Sequence, residues 1–311
     1  MHFLLVGPGA LGCLLSSVIA KGMDAADRLT ILDYNSDRAN HLTRDGIGYH
    51  LDERLTQVPV TAVSDPRLLD PVDVVLLCVK SYDVIDSLQF CKPLLSKNVL
   101  LIFMQNGISH LELQDHLHES TAAFGTTTEG ATLLGTGQVR HAGSGVTYFG
   151  FLESPDKEKA KLLQKTHDVF SAGGLLVHLT DNILARLWAK LFVNAGINAL
   201  TAILDCNNGD LLTLPGIDKR MKVVIEEAIL LAGKKNIPIM DEPYQATRLV
   251  CSKTAKNVSS MLQDVRKKRR TEIEAINGTI VALGKKFGID TPENNLLCNQ
   301  VKELEAGYVR Y

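Results

Sequence analysis

The chain has 311 residues, 45% of them hydrophobic and 22% charged, a globular balance with enough length for two domains of roughly 150 residues each. A chain of about 300 residues buries some three quarters of its unfolded surface, so core size sets no limit. With 33 Lys+Arg against 35 Asp+Glu, there is no global field to draw nucleic acid or an anionic membrane.

The six cysteines, Cys13, Cys78, Cys91, Cys206, Cys251 and Cys298, form no Cys-x-x-Cys pair and read as free thiols in a reducing compartment. Met1 to Gly7 carries no basic leader, and its apolar run is too short for a signal core. No stretch reaches the roughly 18 apolar residues of a membrane span. The expected location is the cytoplasm, with neither nucleic acid nor membrane as partner.

Phe3 to Val6 is a short apolar run ending at glycines, the pattern of a buried parallel strand, and Ala10 to Ala20 follows with helical character. Leu29 to Leu32 reads as a second strand and Ser36 to Arg44 as a polar helix. Val72 to Val79 and Val99 to Met104 are further strands, the last stopped by Asn106-Gly107. Strands alternating with helices imply a parallel sheet covered on both faces. From Gly125 to Gly150 glycines crowd the chain, and Gly137 to His141 and Val146 to Phe151 suggest antiparallel hairpins joined by turns. A helix opens at Ser154-Pro155 and ends near Ala172 at Gly173-Gly174, and Leu175 to Leu179 is a last strand. Beyond Thr180 the pattern is helical almost to the end. The expected architecture is a Rossmann-like dinucleotide-binding domain over residues 1–180 and an all-helical substrate-binding and catalytic domain over 181–311, with the active site in the cleft between them.

Gly7-Pro8-Gly9-Ala10-Leu11-Gly12 fits the G-x-G-x-x-G dinucleotide fingerprint, and here a strand precedes it and a helix follows. In that context Gly7 allows the tight turn, Gly9 lets backbone approach a pyrophosphate, and Gly12 lets helix pack close to strand. The helix amino terminus then faces the phosphates. Asp33 ends the second strand, 21 residues after Gly12. A carboxylate there accepts hydrogen bonds from ribose hydroxyls and repels a 2′-phosphate, which favours NAD(H). Asp33 could equally be a turn former, and Arg38 and Lys80 lie close enough in sequence to alter the balance.

Thr180 to Leu200 is apolar on most sides, yet Lys190, Asn194 and Asn198 are set into it four residues apart. A four-residue step turns a helix by about 400°, so the three side chains drift by only about 40° each and line one narrow face. Arg186 extends that stripe by one turn. Burying a lysine and two amides without partners costs several kcal/mol, so the face should meet a polar cleft. A partly desolvated ammonium there has a lowered pKa and suits a proton donor near neutral pH. The plain alternative is an amphipathic helix with a solvated stripe.

Fingerprint and stripe together resemble the ketopantoate reductase family. The likeness runs nearly end to end: Lys80 after a strand, Gln105-Asn106-Gly107, Gly125-Thr126-Thr127-Thr128, and Leu187-Trp188-Ala189-Lys190-Leu191 with Asn194 and Asn198. Further on come Leu200-Thr201-Ala202-Ile203, Asn208-Gly209, Ser259 to Asp264, Thr271-Glu272-Ile273, Ile276-Asn277-Gly278 and Pro292-Glu293-Asn294. The resemblance implies reduction of 2-dehydropantoate (ketopantoate) to (R)-pantoate, a step of pantothenate and coenzyme A biosynthesis, with NADP(H) as cofactor and a small 2-keto acid as partner. It implies Lys190 as proton donor, Asn106 where cofactor and substrate meet, and Asn194, Asn198, Asn208 and Ser260 on the substrate. Lys80, Ala131 and Glu272 fall at further cofactor or cleft positions. The departure is Asp33, where NADPH-using members carry a basic residue. Two other readings stay open, an NADH-dependent reductase giving another D-2-hydroxy acid and a non-catalytic dinucleotide sensor, as does formation of a homodimer.

Ser260 is a candidate for the substrate carboxylate, and Glu272 for holding Lys190 or a hydroxyl. Arg266-Lys267-Lys268-Arg269-Arg270 reads as a solvated basic face. His116 and His118 lack ligand-type neighbours, so no metal is expected.

Overall fold

The computed structural model describes residues 1–116 and 122–308. The chain divides into two compact units, Met1–Gln105 with His110–Ile183, and Asn106–Ser109 with Leu184–Tyr311. Asn106–Ser109, which an uninterrupted first domain would contain, belongs to the second unit.

The first unit runs β1 (His2–Val6), α1 (Ala10–Gly22), β2 (Arg28–Leu32), α2 (Ser36–Asp45), β3 (Ile47–Leu51), β4 (Arg54–Val58), β5 (Thr61–Val63), β6 (Val74–Leu77) and α3 (Val84–Cys91). It continues through β7 (Leu100–Phe103), β8 (Ala122–Thr127), β9 (Gly130–Gly135), β10 (Gln138–Gly143), β11 (Thr147–Phe151), α4 (Lys157–Ala172) and β12 (Val177–Leu179). Eight strands form the main sheet in the order β12-β11-β8-β7-β6-β1-β2-β5. All its pairings are parallel except β11 on β8. The runs Phe3 to Val6, Val74 to Leu77 and Leu100 to Phe103 are apolar at every position because both sheet faces are covered.

Against one face pack Leu15, Val18 and Ile19 of α1 and Leu163, Val169 and Phe170 of α4. Cys13 and Leu14 of α1, with Ala39 and Leu42 of α2, join Ile31, Ile47 and Val139 in a second core. The chain winds from β1 to β2 on one side and from β6 to β7 on the other, so the crevice between β1 and β6 is the topological switch point where such sheets hold ligands.

A second sheet, β4-β3-β10-β9, has no counterpart in the sequence reading of residues 47–58. Its strand β4 is mostly exposed and polar, and the turn at Asp52 has a left-handed φ of 51° without a glycine, so the hairpin is marked only by the alternation of Ile47, Tyr49 and Leu51 in β3. The two strands expected near residues 137–151 exist but do not pair with each other: β10 pairs antiparallel with β9, and β11 with β8.

The second unit is helical: α5 (Ile183–Leu204), α6 (Ile217–Lys234), α7 (Pro243–Lys253), α8 (Ser260–Arg266), α9 (Thr279–Phe287) and α10 (Pro292–Ala306), with a π-helical turn at Glu274–Gly278. Trp188, Leu191, Ala195, Ile225, Leu231, Cys251, Leu262, Ile276 and Leu297 are buried in it. Contrary to the expectation that no stretch is long and apolar enough to span a bilayer, α5 passes by length and composition; two thirds of its most apolar window, 67%, is buried within the protein, as for a core helix. All six cysteines are free thiols.

Phe149 of β11 meets Phe170 of α4 edge to face at 5.3 Å, fixing the helix to the sheet. Phe149→Ala should cost about 3–5 kcal/mol of unfolding free energy, read from the urea midpoint at unchanged slope. A loss below about 1 kcal/mol would mean that this contact carries little of the packing.

Candidate active site

In the first unit, β1 delivers the chain into the glycine-rich turn. Gly7 has φ +91°, and a Cβ there would meet Val79 Cγ1 at 2.6 Å; a Cβ at Gly12 would meet the Gly7 carbonyl oxygen at 2.1 Å. Turn and helix therefore close on each other as only glycines permit. Gly9 differs: a Cβ there would enter open space, and Gly9 is the residue that starts α1 without a side-chain cap. The first N–H groups of α1, at Ala10, Leu11 and Gly12, have no intrahelical acceptor, and no acidic residue lies in that turn. Open backbone, outward N–H donors and the positive helix end together suit a pyrophosphate. Lys80, half-buried, follows β6 on the other side of the switch point and opens the turn at Ser81–Asp83. Gln105 ties the ends of β7 and β6, its Nε2 donating to the carbonyls of Leu77 at 2.9 Å and Val79 at 3.2 Å. Ala131 sits in β9, half-buried against the second core.

Asp33 is not a bare carboxylate. It is 1% exposed, and both its oxygens are engaged. Oδ1 accepts the Asn35 N–H at 3.0 Å and Arg38 Nη2 at 2.5 Å, while Oδ2 accepts Arg38 Nε at 2.7 Å. Asn35 caps α2 by accepting the Arg38 N–H at 2.9 Å, which places Arg38 one turn into the helix with its side chain folded back to Asp33. The Arg38 side chain remains 41% exposed, and its guanidinium lies 4.9 Å above the ring of Tyr34, itself 79% exposed. The group this corner offers outward is therefore a cation. From the sequence, Asp33 is an acceptor whose balance Arg38 is close enough to alter, and the bidentate pair is how it does so.

In the second unit, α5 buries Leu187, Trp188, Leu191, Phe192 and Ala195 and leaves Lys190 and Asn194 half-buried, with Asn198 buried one turn on. Desolvation of the Lys190 ammonium pulls its pKa down to about 8, and the Glu272 carboxylate works against that fall. Glu272 is buried and accepts a hydrogen bond from Asn106 Nδ2 on Oε2 at 3.0 Å. Lys190, Glu272 and Asn106, distant in sequence, thus form one polar cluster on an apolar framework. Asn208 is held by its Nδ2 to Thr254 Oγ1 at 2.9 Å.

Ser259 and Ser260 divide two tasks. Ser259 is buried, caps α8 by accepting the Leu262 N–H at 3.1 Å and receives Thr201 Oγ1 at 2.7 Å from α5. Ser260 is exposed at the first position of α8. The basic run 266–270 is exposed, with Arg266 paired to Asp205 at 2.7 Å. Among the described residues no group of three His, Cys, Asp or Glu is placed to hold a metal; His118 lies outside the described residues.

Residues 3–154 match the family described as "Ketopantoate reductase PanE/ApbA", and residues 182–305 match its partner, "Ketopantoate reductase PanE/ApbA C terminal". A 2-dehydropantoate 2-reductase of Halobacterium salinarum is 30% identical over 304 residues, 97% of this chain and 98% of that protein. One from Vibrio cholerae is 32% identical over 315 aligned positions, 99% of each chain. Among solved structures, a PanE/ApbA family ketopantoate reductase from Ralstonia eutropha superposes with a TM-score of 0.88 at 30% identity, covering 98% of this chain and 99% of that one. A D-mandelate dehydrogenase solved with NADH and anilino(oxo)acetate also reaches a TM-score of 0.88, at 25% identity and the same coverage. With both halves matched in order and relatives aligned over nearly its full length, the chain belongs to the ketopantoate reductase family.

Proposed function

We propose that the chain is an oxidoreductase that reduces 2-dehydropantoate to (R)-pantoate with NADPH, a step towards pantothenate. The observation that carries this reading is Lys190, an ammonium with its pKa brought to about 8, set beside Glu272 on a helix that also presents Asn194 and Asn198. A bound nicotinamide supplies the hydride; the residues of the chain do the rest. The turn at Gly7 to Gly12 and the first N–H groups of α1 hold the pyrophosphate, with Lys80 and Ala131 as further contacts. As hydride reaches the keto carbon, negative charge grows on the carbonyl oxygen. Lys190 Nζ stabilises that charge and then donates its proton, so that C=O becomes CH–OH. Asn194, Asn198 and Asn208 offer amide donors and acceptors to the substrate's hydroxyl and carboxylate groups, and Ser260 offers a hydroxyl to the carboxylate. Asn106, bonded to Glu272, orients the cluster where substrate and cofactor meet.

A second reading has its own support. The likeness to a D-mandelate dehydrogenase favours a bulkier 2-keto acid reduced to a D-2-hydroxy acid on the same machinery. Rates with 2-dehydropantoate and with an aryl 2-keto acid, each measured with NADPH and NADH, separate the two. A non-catalytic sensor would oxidise neither cofactor.

The proton-donor role fixes a sign. Lys190 donates only when protonated, so kcat for reduction should be flat below about pH 8 and fall above it. Glu272→Gln removes the charge that holds the proton on and should move this basic limb to lower pH. Lys190→Ala should lower kcat by about 10²–10⁴-fold with cofactor binding little changed. A folded Lys190→Ala variant keeping more than about a tenth of wild-type turnover lies outside that range and would remove Lys190 from the role.

For the cofactor, the Asp33–Arg38 pair reverses the argument made from Asp33 alone. With both carboxylate oxygens occupied, the exposed Arg38 guanidinium faces the ribose corner and suits a 2′-phosphate, and the Tyr34 ring offers a surface to adenine. Arg38→Ala leaves Asp33 bare, exchanging attraction for repulsion. A charge-assisted hydrogen bond is worth about 1.5–3 kcal/mol, so the NADPH-over-NADH ratio of kcat/KM should fall by at least about tenfold. A ratio unmoved by Arg38→Ala would place the 2′ position elsewhere.

A further inference from the structure

The π-helical turn that follows Glu272 is fastened from inside. Its i→i+5 bond runs from the Gly278 N–H to the Ile273 carbonyl at 2.9 Å, while the Glu272 carbonyl takes the Ala275 and Ile276 N–H groups at 3.1 Å each, so Asn277 follows Glu272 by little more than one turn. Asn277 is 0% exposed. Its Nδ2 donates to the Ala195 carbonyl of α5 at 3.3 Å and to Asn294 Oδ1 of α10 at 2.9 Å. The opposite amide orientation would set carbonyl against carbonyl, so two acceptors fix this one. Asn294, equally buried, donates to the Val224 carbonyl at 3.0 Å and to Glu227 Oε2 at 2.7 Å, both on α6. The Glu227 carboxylate in turn takes the N–H groups of Glu293 at 2.8 Å and Asn294 at 2.9 Å at the start of α10. One polar chain thus joins α6, α10, the π turn and α5.

Such a network in an apolar core is costly unless its members are satisfied, and apolar side chains would hold the helices together as well. What hydrogen bonds add is direction. Asn277 pins the segment that carries Glu272 to a carbonyl five residues beyond Lys190 on α5. The segment Asn106–Ser109 bears on the same turn: Gly107 has φ +75°, and a Cβ there would lie 1.9 Å from the Ala275 carbonyl oxygen. The neighbouring charges are paired elsewhere, Glu274 with Lys302 and Glu293 with Arg220, leaving Glu272 as the carboxylate that acts on Lys190. A π turn inserted beside a reactive cluster is a common functional device.

We propose that Asn277 is a positioning residue: it holds the π turn against α5 and so fixes the Glu272 carboxylate relative to the Lys190 ammonium. This rests on Lys190 being the proton donor. The test is the pH profile of kcat for the full-length wild type, Glu272→Gln, Asn277→Ser and the double variant. A serine reaches at most one of the two acceptors. Asn277→Ser should lower kcat at pH 7 by about tenfold or more, since misplacement of about 1 Å costs up to about 10²-fold. It should also move the basic limb down by about half a pH unit, as expected when a nearby opposite charge recedes, with the cofactor KM changed less than about twofold. In the Glu272→Gln background the same substitution should move the limb no further, because the group it acts through is gone. A limb left where wild type has it, or a further shift in the double variant, overturns the proposal even if thermal stability falls. If Asn277→Ser does not fold, Asn294→Ser loosens the same tie one step away, and an unmoved limb there is equally contrary. A wild type with no basic limb would instead overturn the donor role of Lys190, a separate result.

Discussion

The structure turns on a single costly placement, an ammonium set into an apolar helix. Lys190 shares α5 with the buried Leu187, Trp188, Leu191 and Phe192, and desolvation lowers its pKa. Desolvation by itself favours the neutral amine. Glu272 restores part of what burial removes, and the compromise leaves a group that is charged near neutrality yet gives up its proton readily. The hydrogen bond from Asn106 and the fastening of the π turn make sense as means of holding that carboxylate. The long apolar helix that resembles a membrane span by length and composition is mostly buried within the protein, and low-dielectric surroundings of that kind strengthen the interactions of a charge set beside them.

The cofactor side uses charge differently. In the proposed binding mode the turn after β1 would act through backbone, and its residues matter for what they lack: a Cβ at Gly7, Gly9 and Gly12, a carboxylate in the first turn of α1. In the same proposal the charge that is outermost at the end of β2 sets the preference at the ribose. Asp33 holds Arg38 with two hydrogen bonds and in return withdraws from the surface, so an acidic residue at the end of β2 can support a basic binding corner. Pairing, not residue type at one position, sets the sign.

Much of this was legible in the sequence because it follows from period and spacing. The buried parallel strands declare themselves as apolar runs, and the polar stripe of α5 as a four-residue repeat. What stayed hidden depends on contacts at long range or on weak patterns. In the β3–β4 hairpin only β3 alternates, β4 is mostly polar, and the turn holds Asp52 in place of a glycine. The Asp33–Arg38 pair needs the cap at Asn35 to fold the arginine back. Asn277 was visible as part of a motif, but its task is defined by Ala195, Asn294 and Glu227, from three other helices. Sequence spacing cannot bring these together.

Lys190 is held where desolvation lowers its pKa and the Glu272 carboxylate opposes the fall. Its pKa can be read without any assay, by following the ε-carbon resonance of isotopically labelled lysine against pH, with Lys190→Ala identifying the signal. A midpoint of about 8 is expected for Lys190, moving down in Glu272→Gln. A midpoint at the ordinary lysine value of 10.5, unmoved by Glu272→Gln, would contradict it.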